Sequence, residues 1–192
     1  MPLLINTETR TDELVLAINH LLAQHGPTGL TLRRIAGASG VHTSSMLHHY
    51  GSREHLLRVA AGRTGRARAE DLEVRLPREG VAALLPYSID DLPDARAWLA
   101  WQEMWRSEER LVSTIDHFRD EERFLLARAL QLRFVSDDLD GIVALADGLL
   151  VALCRPQRPM SLTLARGILT RYVEQLLPGI DVTPGPRFGS TR

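Results

Sequence analysis

The sequence contains no lysine, so its 23 strongly basic side chains are all arginines. A cationic side chain that binds an anion must therefore be an arginine or a protonated histidine. The 192 residues include one cysteine, Cys154, which excludes an internal disulfide and a thiolate metal cluster. This low cysteine content is typical of a reducing compartment, and we expect Cys154 to be a small core residue.

The sequence also lacks an apolar run long enough to cross a membrane. Its most apolar stretch, residues 141–154, is shorter than the roughly 20 residues that a bilayer requires. Asp147 and Gly148 also interrupt that stretch. The short apolar segment 1–5 is followed by acidic residues and does not resemble a signal peptide. We therefore expect a cytoplasmic protein without membrane contact, in which residues 141–154 form a buried helix.

The net charge is −1, but the charges are unevenly divided along the chain. Residues 1–68 contain eight arginines and four acidic residues, whereas residues 69–192 contain fifteen arginines and twenty acidic residues. Six of the seven histidines also lie in the first segment, so its positive charge should grow as the pH falls. The basic first segment is compatible with nucleic-acid binding, which the net charge alone would argue against.

The spacing of apolar residues predicts helices in the first part of the chain and no strand. Thr31 and Ser52 are predicted N-caps, Gly40 is predicted to stop the second helix, and Pro77 is predicted to end the fourth. The four predicted helices cover residues 12–25, the stretch between Thr31 and Gly40, and residues 42–48 and 53–76.

The pattern remains helical beyond Pro77. Asp137 or Asp138 is predicted to cap one of these later helices, and Ser161 the last one. Residues 179–192 are rich in glycine and proline and are predicted to be disordered. The later helices are predicted over residues 81–85, 93–106, 108–133, 137–154 and 161–177.

Residues 31–57 have the spacing of two helices that cross at a wide angle over a tight turn. Such a crossing needs a small residue where the helices touch and a glycine at the bend, which Ala36 and Gly40 provide. The outward side of the short helix after Gly40, predicted over residues 42–48, consists of His42, Thr43, Ser44, Ser45 and His48. A helix with these side chains can lie in a DNA major groove. The alternative is an ordinary helical hairpin whose hydroxyls are solvated.

Residues 10–60 resemble the DNA-binding domain of the TetR (tetracycline-repressor) family. In that family a Gly-Leu-Thr-Leu-x-x-Ile-Ala opening precedes a recognition helix that ends in a His-aromatic pair, and Ser-basic-Glu-x-Leu-Leu starts the fourth helix. The matching pieces here are Gly29 to Leu32, Ile35 with Ala36, His49 with Tyr50, and Ser52 to Leu57. The resemblance implies an all-α fold in which a helix-turn-helix domain binds double-stranded operator DNA.

The resemblance also implies which residues contact DNA. Thr31 would offer its hydroxyl and free backbone N–H groups to a phosphate, and Arg53 would do the same at the start of the fourth helix. Residues 42–45 would face base edges. The complete implied set is Thr31, Arg33, Arg34, His42, Thr43, Ser44, Ser45, Leu47, His48, Tyr50 and Arg53.

The recognition helix departs from the family pattern at several positions. The family often has a basic residue or a glycine within this helix, where this chain has Thr43 and Ser44. Leu47 stands at the place of a tyrosine that touches the DNA backbone. The sequence therefore does not define which base pairs this helix prefers. His42 could serve as a helix cap instead of a base contact.

Residues 59–178 are expected to form the family's variable helical domain, after a DNA-binding domain over residues 1–58 and before a tail over residues 179–192. Residues 137–154 are apolar nearly all round, and the last helix adds an apolar face. A homodimer formed through these helices would place two recognition helices about one DNA turn, roughly 34 Å, apart. The predicted interface residues are Leu145, Leu149, Leu153, Leu164, Ile168, Tyr172 and Leu176. The alternative is that both helices belong to an intramolecular core.

All three tryptophans lie within residues 98–105 at helical spacing and share one face. Such a stripe is either core or the wall of an apolar pocket for a small-molecule effector, in which Glu103 could orient the ligand. The candidate pocket residues are Trp98, Trp101, Met104, Trp105, His117 and Phe118.

The leading hypothesis is a ligand-responsive repressor that binds palindromic operator DNA as a dimer. The second is a ligand-free or partner-controlled regulator, such as an activator. An enzyme is not expected, because Ser44, Ser45 and His48 have no nucleophile-elbow pattern around them and the chain has no glycine-rich phosphate loop. No metal site or cofactor is expected either, since His48, His49 and His55 lack a partner ligand at a recognised spacing.

Overall fold

The computed structural model of the protein describes residues 7–104 and 108–178. These residues form α-helices and short 3-10 helices, and no strand occurs among them. The all-α fold predicted from the sequence is confirmed. The helices are α1 (Thr7–His25), α2 (Leu32–Ser39), α3 (Thr43–Tyr50), α4 (Arg53–Glu79), α5 (Leu92–Glu103), α6 (Val112–Ala129), α7 (Asp137–Leu153) and α8 (Leu162–Leu176). The predicted disordered tail, residues 179–192, lies outside the described residues.

Several helix ends form as their local sequence predicts. The Thr31 hydroxyl accepts a hydrogen bond from the Arg34 backbone N–H at 3.3 Å and caps α2. Gly40, with a φ of 68°, ends that helix in the left-handed conformation that glycine adopts without strain. The Ser161 hydroxyl caps α8 in the same way as Thr31 caps α2. Local signals therefore set these ends without help from distant contacts.

Two predictions about helix ends were wrong. Pro77 lies inside α4, which continues to Glu79 before Gly80 turns the chain at a φ of 57°. A proline this close to a C-terminus removes one hydrogen bond of the last turn and does not interrupt a long helix. The N-cap of α7 is Ser136, whose hydroxyl accepts from the Leu139 backbone N–H at 3.1 Å, and not Asp137 or Asp138. The two aspartates lie in the first turn, where their charge favours the helix dipole.

Other helices differ in length from the prediction. The first helix begins at Thr7, five residues before the predicted start. The segment predicted as one helix over residues 108–133 consists of a 3-10 turn, Glu109–Leu111, followed by α6. Residues 81–85, predicted as helical, lie in or next to the 3-10 turn Gly80–Leu84.

The chain divides into two compact units, and the first comprises residues 1–67 and 93–118. Its core contains Ile35 and Met46 of the two crossing helices, both fully buried. Trp101 of α5 belongs to the same buried cluster, as do Met104, which follows α5, and Leu111. The helix-turn-helix therefore shares its core with α5, the helix that carries Trp98 and Trp101. The boundary expected after residue 58, between the DNA-binding domain and the variable helical domain, stays a prediction.

A polar contact fixes α5 within this first unit. The indole Nε1 of Trp101 donates a hydrogen bond to Oδ1 of Asn19, in α1, at 2.8 Å. The amide Nδ2 of Asn19 donates to the Thr64 hydroxyl, in α4, at 3.0 Å. The buried tryptophan has its polar atom satisfied, as burial requires.

The second unit comprises residues 68–92 and 119–192. Helices α7 and α8 pack on each other in it. The hydroxyl of Tyr172 lies above Gly141, where a Cβ atom would come within 2.7 Å of it. The absence of a side chain at Gly141 therefore leaves room for the Tyr172 hydroxyl where α7 and α8 pack on each other. No helix among the described residues is both long and apolar enough to span a bilayer.

A buried charge network also lies in the second unit. Glu122 is bonded by two guanidiniums, from Arg68 at 3.1 Å and from Arg119 at 3.3 Å. Arg119 also binds Asp147 of α7 at 2.6 Å. Burial alone would raise the pKa of Glu122, but the two guanidiniums outweigh it and lower that pKa. Burial raises the pKa of Asp147, because it outweighs the opposing effect of Arg119.

Candidate nucleic-acid interface

Helices α2 and α3 are joined by a tight bend at Gly40. Ile35 on α2 and Met46 on α3 are buried and hold the two helices to the core. The Ser39 hydroxyl donates to the Ile35 carbonyl at 2.7 Å and accepts from the Val41 backbone N–H at 3.3 Å, which reinforces the bend. This bend leaves one side of the eight-residue helix α3 without intramolecular cover.

Most of the predicted base-contacting side chains lie on that uncovered side. Ser44, Ser45 and His48 of α3 and the preceding His42 are exposed. His42 is the N-cap residue by position, but its side chain makes no capping hydrogen bond. Thr43 is half-buried, because it falls on the inward side of the helix. Leu47 is exposed, as expected of a residue at a DNA-facing position.

A groove of about 500 Å³ lies beside α3 in the first unit. Tyr50, at the end of α3, is half-buried there, and its hydroxyl is hydrogen-bonded to Thr11 of α1 at 3.0 Å. Its ring meets His49 edge to face, with 4.7 Å between ring centroids. Tyr50 therefore ties α3 to α1. The groove is lined by Arg10, Thr11, Leu14, Val41, Ser44, Ser45, Met46, His48, His49 and Tyr50.

Arg10 is a candidate anion contact that the sequence analysis missed. It is exposed near the start of α1 and lines the same groove as Ser44 and Ser45. Only its basic character was visible in the sequence. Its distance of more than 30 positions from α3 along the chain gave no sign that the two lie together.

The arginines predicted to contact phosphate differ in their surroundings. Arg33 is exposed, and its side chain has no ion-pair partner among residues 7–104 and 108–178. Arg34 is also exposed, and its guanidinium donates to the Gly29 carbonyl at 3.4 Å. Arg53 pairs with the carboxylate of Glu108 and donates to the Leu30 carbonyl at 3.1 Å. Arg33 is therefore the most available of the three cations in the free protein.

A second ion pair lies next to that of Arg53. Glu54 binds Arg110 at 2.6 Å and Arg58 at 2.7 Å. The hydrogen bond from Arg110 is the largest influence on Glu54 and lowers its pKa, with a further contribution from Arg58. The first turn of α4 is thus bound through two adjacent residues to the segment 108–110.

The candidate pocket residues of the tryptophan stripe are mostly buried. Trp98, Trp101 and Met104 are all buried, and the last two belong to the core of the first unit. Phe118 is buried against Gly65, and His117 is exposed. Trp105 lies outside the described residues. These positions favour the core alternative for Trp101 and Met104.

The second unit contains a cavity of about 350 Å³ between the C-terminal parts of α4 and α6. Most of its lining residues are apolar, and the ion pair Arg128–Glu73, 3.2 Å apart, supplies polar groups to the lining. This cavity was not predicted from the sequence. It is lined by Glu73, Leu76, Pro77, Gly80, Val81, Leu125, Leu126, Arg128, Ala129 and Leu130.

The predicted interface residues fall into two groups. Leu149 and Leu153 are only 5% and 2% exposed, so they pack inside the protomer. Leu164 is exposed, whereas the remaining four are half-buried: Leu145, Ile168, Tyr172 and Leu176. Val151 of α7, which the sequence analysis did not select, is 51% exposed.

A short polar helix exposed after a glycine bend, with cations around it, is the arrangement found in helix-turn-helix DNA-binding domains. The family model described as "Bacterial regulatory proteins, tetR family" matches residues 14–60. The HTH-type transcriptional regulator BetI of Rhizobium meliloti is 29% identical, over 97% of this chain and 100% of its own length. BetI of Burkholderia mallei is 25% identical, over 92% and 98%.

Solved structures show the same fold. A TetR-family regulator from a Rhodococcus species superposes with a TM-score of 0.76 at 18% identity, over 88% of this chain and 99% of its own. A regulator from Saccharomonospora viridis, crystallised with choline, superposes with a TM-score of 0.72 at 17% identity, over 91% and 98%. Residues 14–60 therefore match the TetR-family DNA-binding domain, and the chain is similar over nearly its whole length to transcriptional regulators with this fold.

Proposed function

We propose that this regulator is a ligand-responsive repressor whose homodimer binds a palindromic operator through α3. The observation that carries the proposal is the exposed side of α3, which offers hydroxyl and imidazole groups beside the cations Arg10 and Arg33. Polar side chains on a short exposed helix can hydrogen-bond base edges, and arginines beside it can bind the flanking phosphates.

The experiment is an anisotropy titration of labelled duplexes that tile the DNA flanking the gene, at several salt concentrations. Arg33→Gln should weaken binding to every bound duplex and reduce the slope of log K against log salt by about 1. Arg96→Gln is the matched control, since Arg96 is an exposed arginine of α5. Wild-type protein that binds no duplex, or binds without salt dependence, would contradict the proposal.

Dimerisation is proposed through α7 and α8. Val151 on α7 and Leu164 on α8 are large, exposed apolar residues, and the half-buried Ile168 and Tyr172 lie on the same helix as Leu164. Exposed apolar side chains on two packed helices are typical of a surface that a second copy covers. The buried Leu149 and Leu153 support the helix pair from inside.

The effector is proposed to be a small organic molecule bound by the second unit. The cavity beside Glu73 and Arg128, at about 350 Å³, falls in the range of small-molecule sites. Choline is the first compound to test, because a protein of the same fold was crystallised with it. A ligand that binds the folded state should raise the melting temperature and weaken operator binding. A thermal-shift screen in which no compound raises the melting temperature would favour the hypothesis of a ligand-free regulator.

A further inference from the structure

Arg53, the first residue of α4, is held by two acceptors within the first unit. One Nη atom contacts the carboxylate of Glu108, and the other donates to the Leu30 carbonyl at 3.1 Å. The side chains of Arg53 and Glu108 are 34% and 23% exposed, so the pair is partly shielded from water. Shielding makes the attraction stronger than that of a fully exposed pair.

The position of Glu108 is fixed by its backbone. Its N–H donates to the Met104 carbonyl at 2.9 Å, and its carbonyl accepts from the Leu111 N–H at 2.8 Å. Met104 and Leu111 are both buried in the core that also holds Ile35 and Met46. The backbone of Glu108 is thus hydrogen-bonded to two buried residues, and the neighbouring pair Glu54–Arg110 adds a second connection between the start of α4 and residues 108–110.

We propose that Glu108 is a positioning residue that lowers DNA affinity by competing with a backbone phosphate for Arg53. The inference rests on the proposed function and on the phosphate contact that the family resemblance implies for Arg53 at the start of α4. A guanidinium neutralised by a carboxylate attracts a phosphate less and releases fewer counterions from DNA. The carboxylate itself also repels the phosphate that approaches Arg53.

The test compares Glu108→Gln with Glu109→Gln. Glu109 is the next residue, carries the same charge, is exposed and has no ion-pair partner within the described ranges. On a duplex that the wild-type protein binds, E108Q should bind about 3–10-fold more tightly near physiological salt and steepen the salt slope by about 1. E109Q should change the affinity less than about 2-fold, since an unpaired surface charge is screened.

Arg53 provides the second arm of the test. Arg53→Gln should remove the effect of E108Q, so that the double variant and R53Q bind alike. Loss of affinity in E108Q, an unchanged salt slope, or the same gain in the R53Q background would overturn the inference. Should E108Q fail to fold, Glu108→Asp replaces it and should give a smaller gain of the same sign, because the shorter side chain lengthens the pair.

The two proposals fail in different ways. Wild-type protein that binds no duplex would show the proposed function to be wrong, and this inference with it. Wild-type binding with an unchanged affinity in E108Q would overturn only the role of Glu108.

Discussion

Arginine is the one strongly basic residue of this protein, and in the part of the chain that the structure describes, ten arginines pair with acidic residues. Several of these pairs belong to the second unit, as those of Arg75 and Arg166 with Glu79 do. A count of arginines therefore overestimates how many guanidinium groups are available to bind a phosphate. Arg33 and Arg53 have the same charge, but only Arg33 is without such a partner among those residues.

At the scale of single residues, the buried Glu122 gives a testable prediction about protein stability. Glu122→Gln leaves Arg68 and Arg119 without their shared buried carboxylate, and we expect the free energy of unfolding to fall by roughly 3 kcal/mol. Urea unfolding at neutral pH measures the change. Glu121→Gln is the matched control, since Glu121 is half-buried and makes no ion pair with any described residue. An E122Q protein as stable as E121Q would contradict the role given to the network.

The stability difference between wild type and E122Q should depend on pH, in the direction given by the pKa shift of Glu122. The pKa of Glu122 is lower in the folded protein than in the unfolded chain, so its contribution is complete above the unfolded pKa. That contribution should be lost as the pH falls below about 4.3, the ordinary glutamate value. The stability gap between wild type and E122Q should therefore narrow in acid. A gap that widened there would contradict the sign of the shift.

Single residues differ in how far the sequence predicts them. The caps Thr31 and Ser161 were predicted correctly, because a cap bonds a backbone N–H three residues away. The partner of Arg53 was not, since Glu108 lies 55 positions further along the chain. No local pattern signals a contact at that separation.

At the scale of elements, α4 offers a comparison between two glycines three residues apart. A Cβ atom at Gly65 would lie 2.2 Å from Cγ of the buried Phe118 ring, whereas a Cβ at Gly62 would meet no described atom within 4 Å beyond its neighbours and the backbone of its own helix. Gly65→Ala should lower the free energy of unfolding by about 1–3 kcal/mol, because the ring must move. Gly62→Ala should raise it by about 0.5–1 kcal/mol, because alanine favours the helix. Equal effects in urea unfolding would contradict the packing of α4 on α6.

The elements themselves were largely predictable, and their partners were not. Apolar periodicity and caps located the helices, whereas Pro77 was misjudged because a rule for helix interiors was applied within the last turn. The tryptophan stripe was predicted to be either core or a pocket wall, and the burial of Trp98 and Trp101 on α5 favours core. Its packing against α1, through Trp101 and Asn19, depends on residues 82 positions apart and could not be predicted from the periodicity of either helix.

At the scale of the whole molecule, the proposed dimer can be tested through two exposed valines. Val151 of α7 and Val74 of α4 are 51% and 55% exposed. Val151→Glu would place a carboxylate in the proposed interface, and we expect it to shift the protein from dimer to monomer in sedimentation equilibrium. Val74→Glu should leave the dimer intact. A monomeric wild type, or a dimeric V151E, would contradict the proposed interface.

The central claim, that α3 lies on DNA, is tested most directly by cleavage from that helix. An iron chelate is attached to Ser45→Cys in a Cys154→Ser background, and the cuts it makes in a bound duplex are mapped. The same chelate on Ser113→Cys, an exposed serine of α6, is the control. The account predicts two groups of cuts from residue 45, about one helical turn or 10 base pairs apart, and none from residue 113. A bound duplex left uncut from residue 45, or cut alike from both positions, would contradict it.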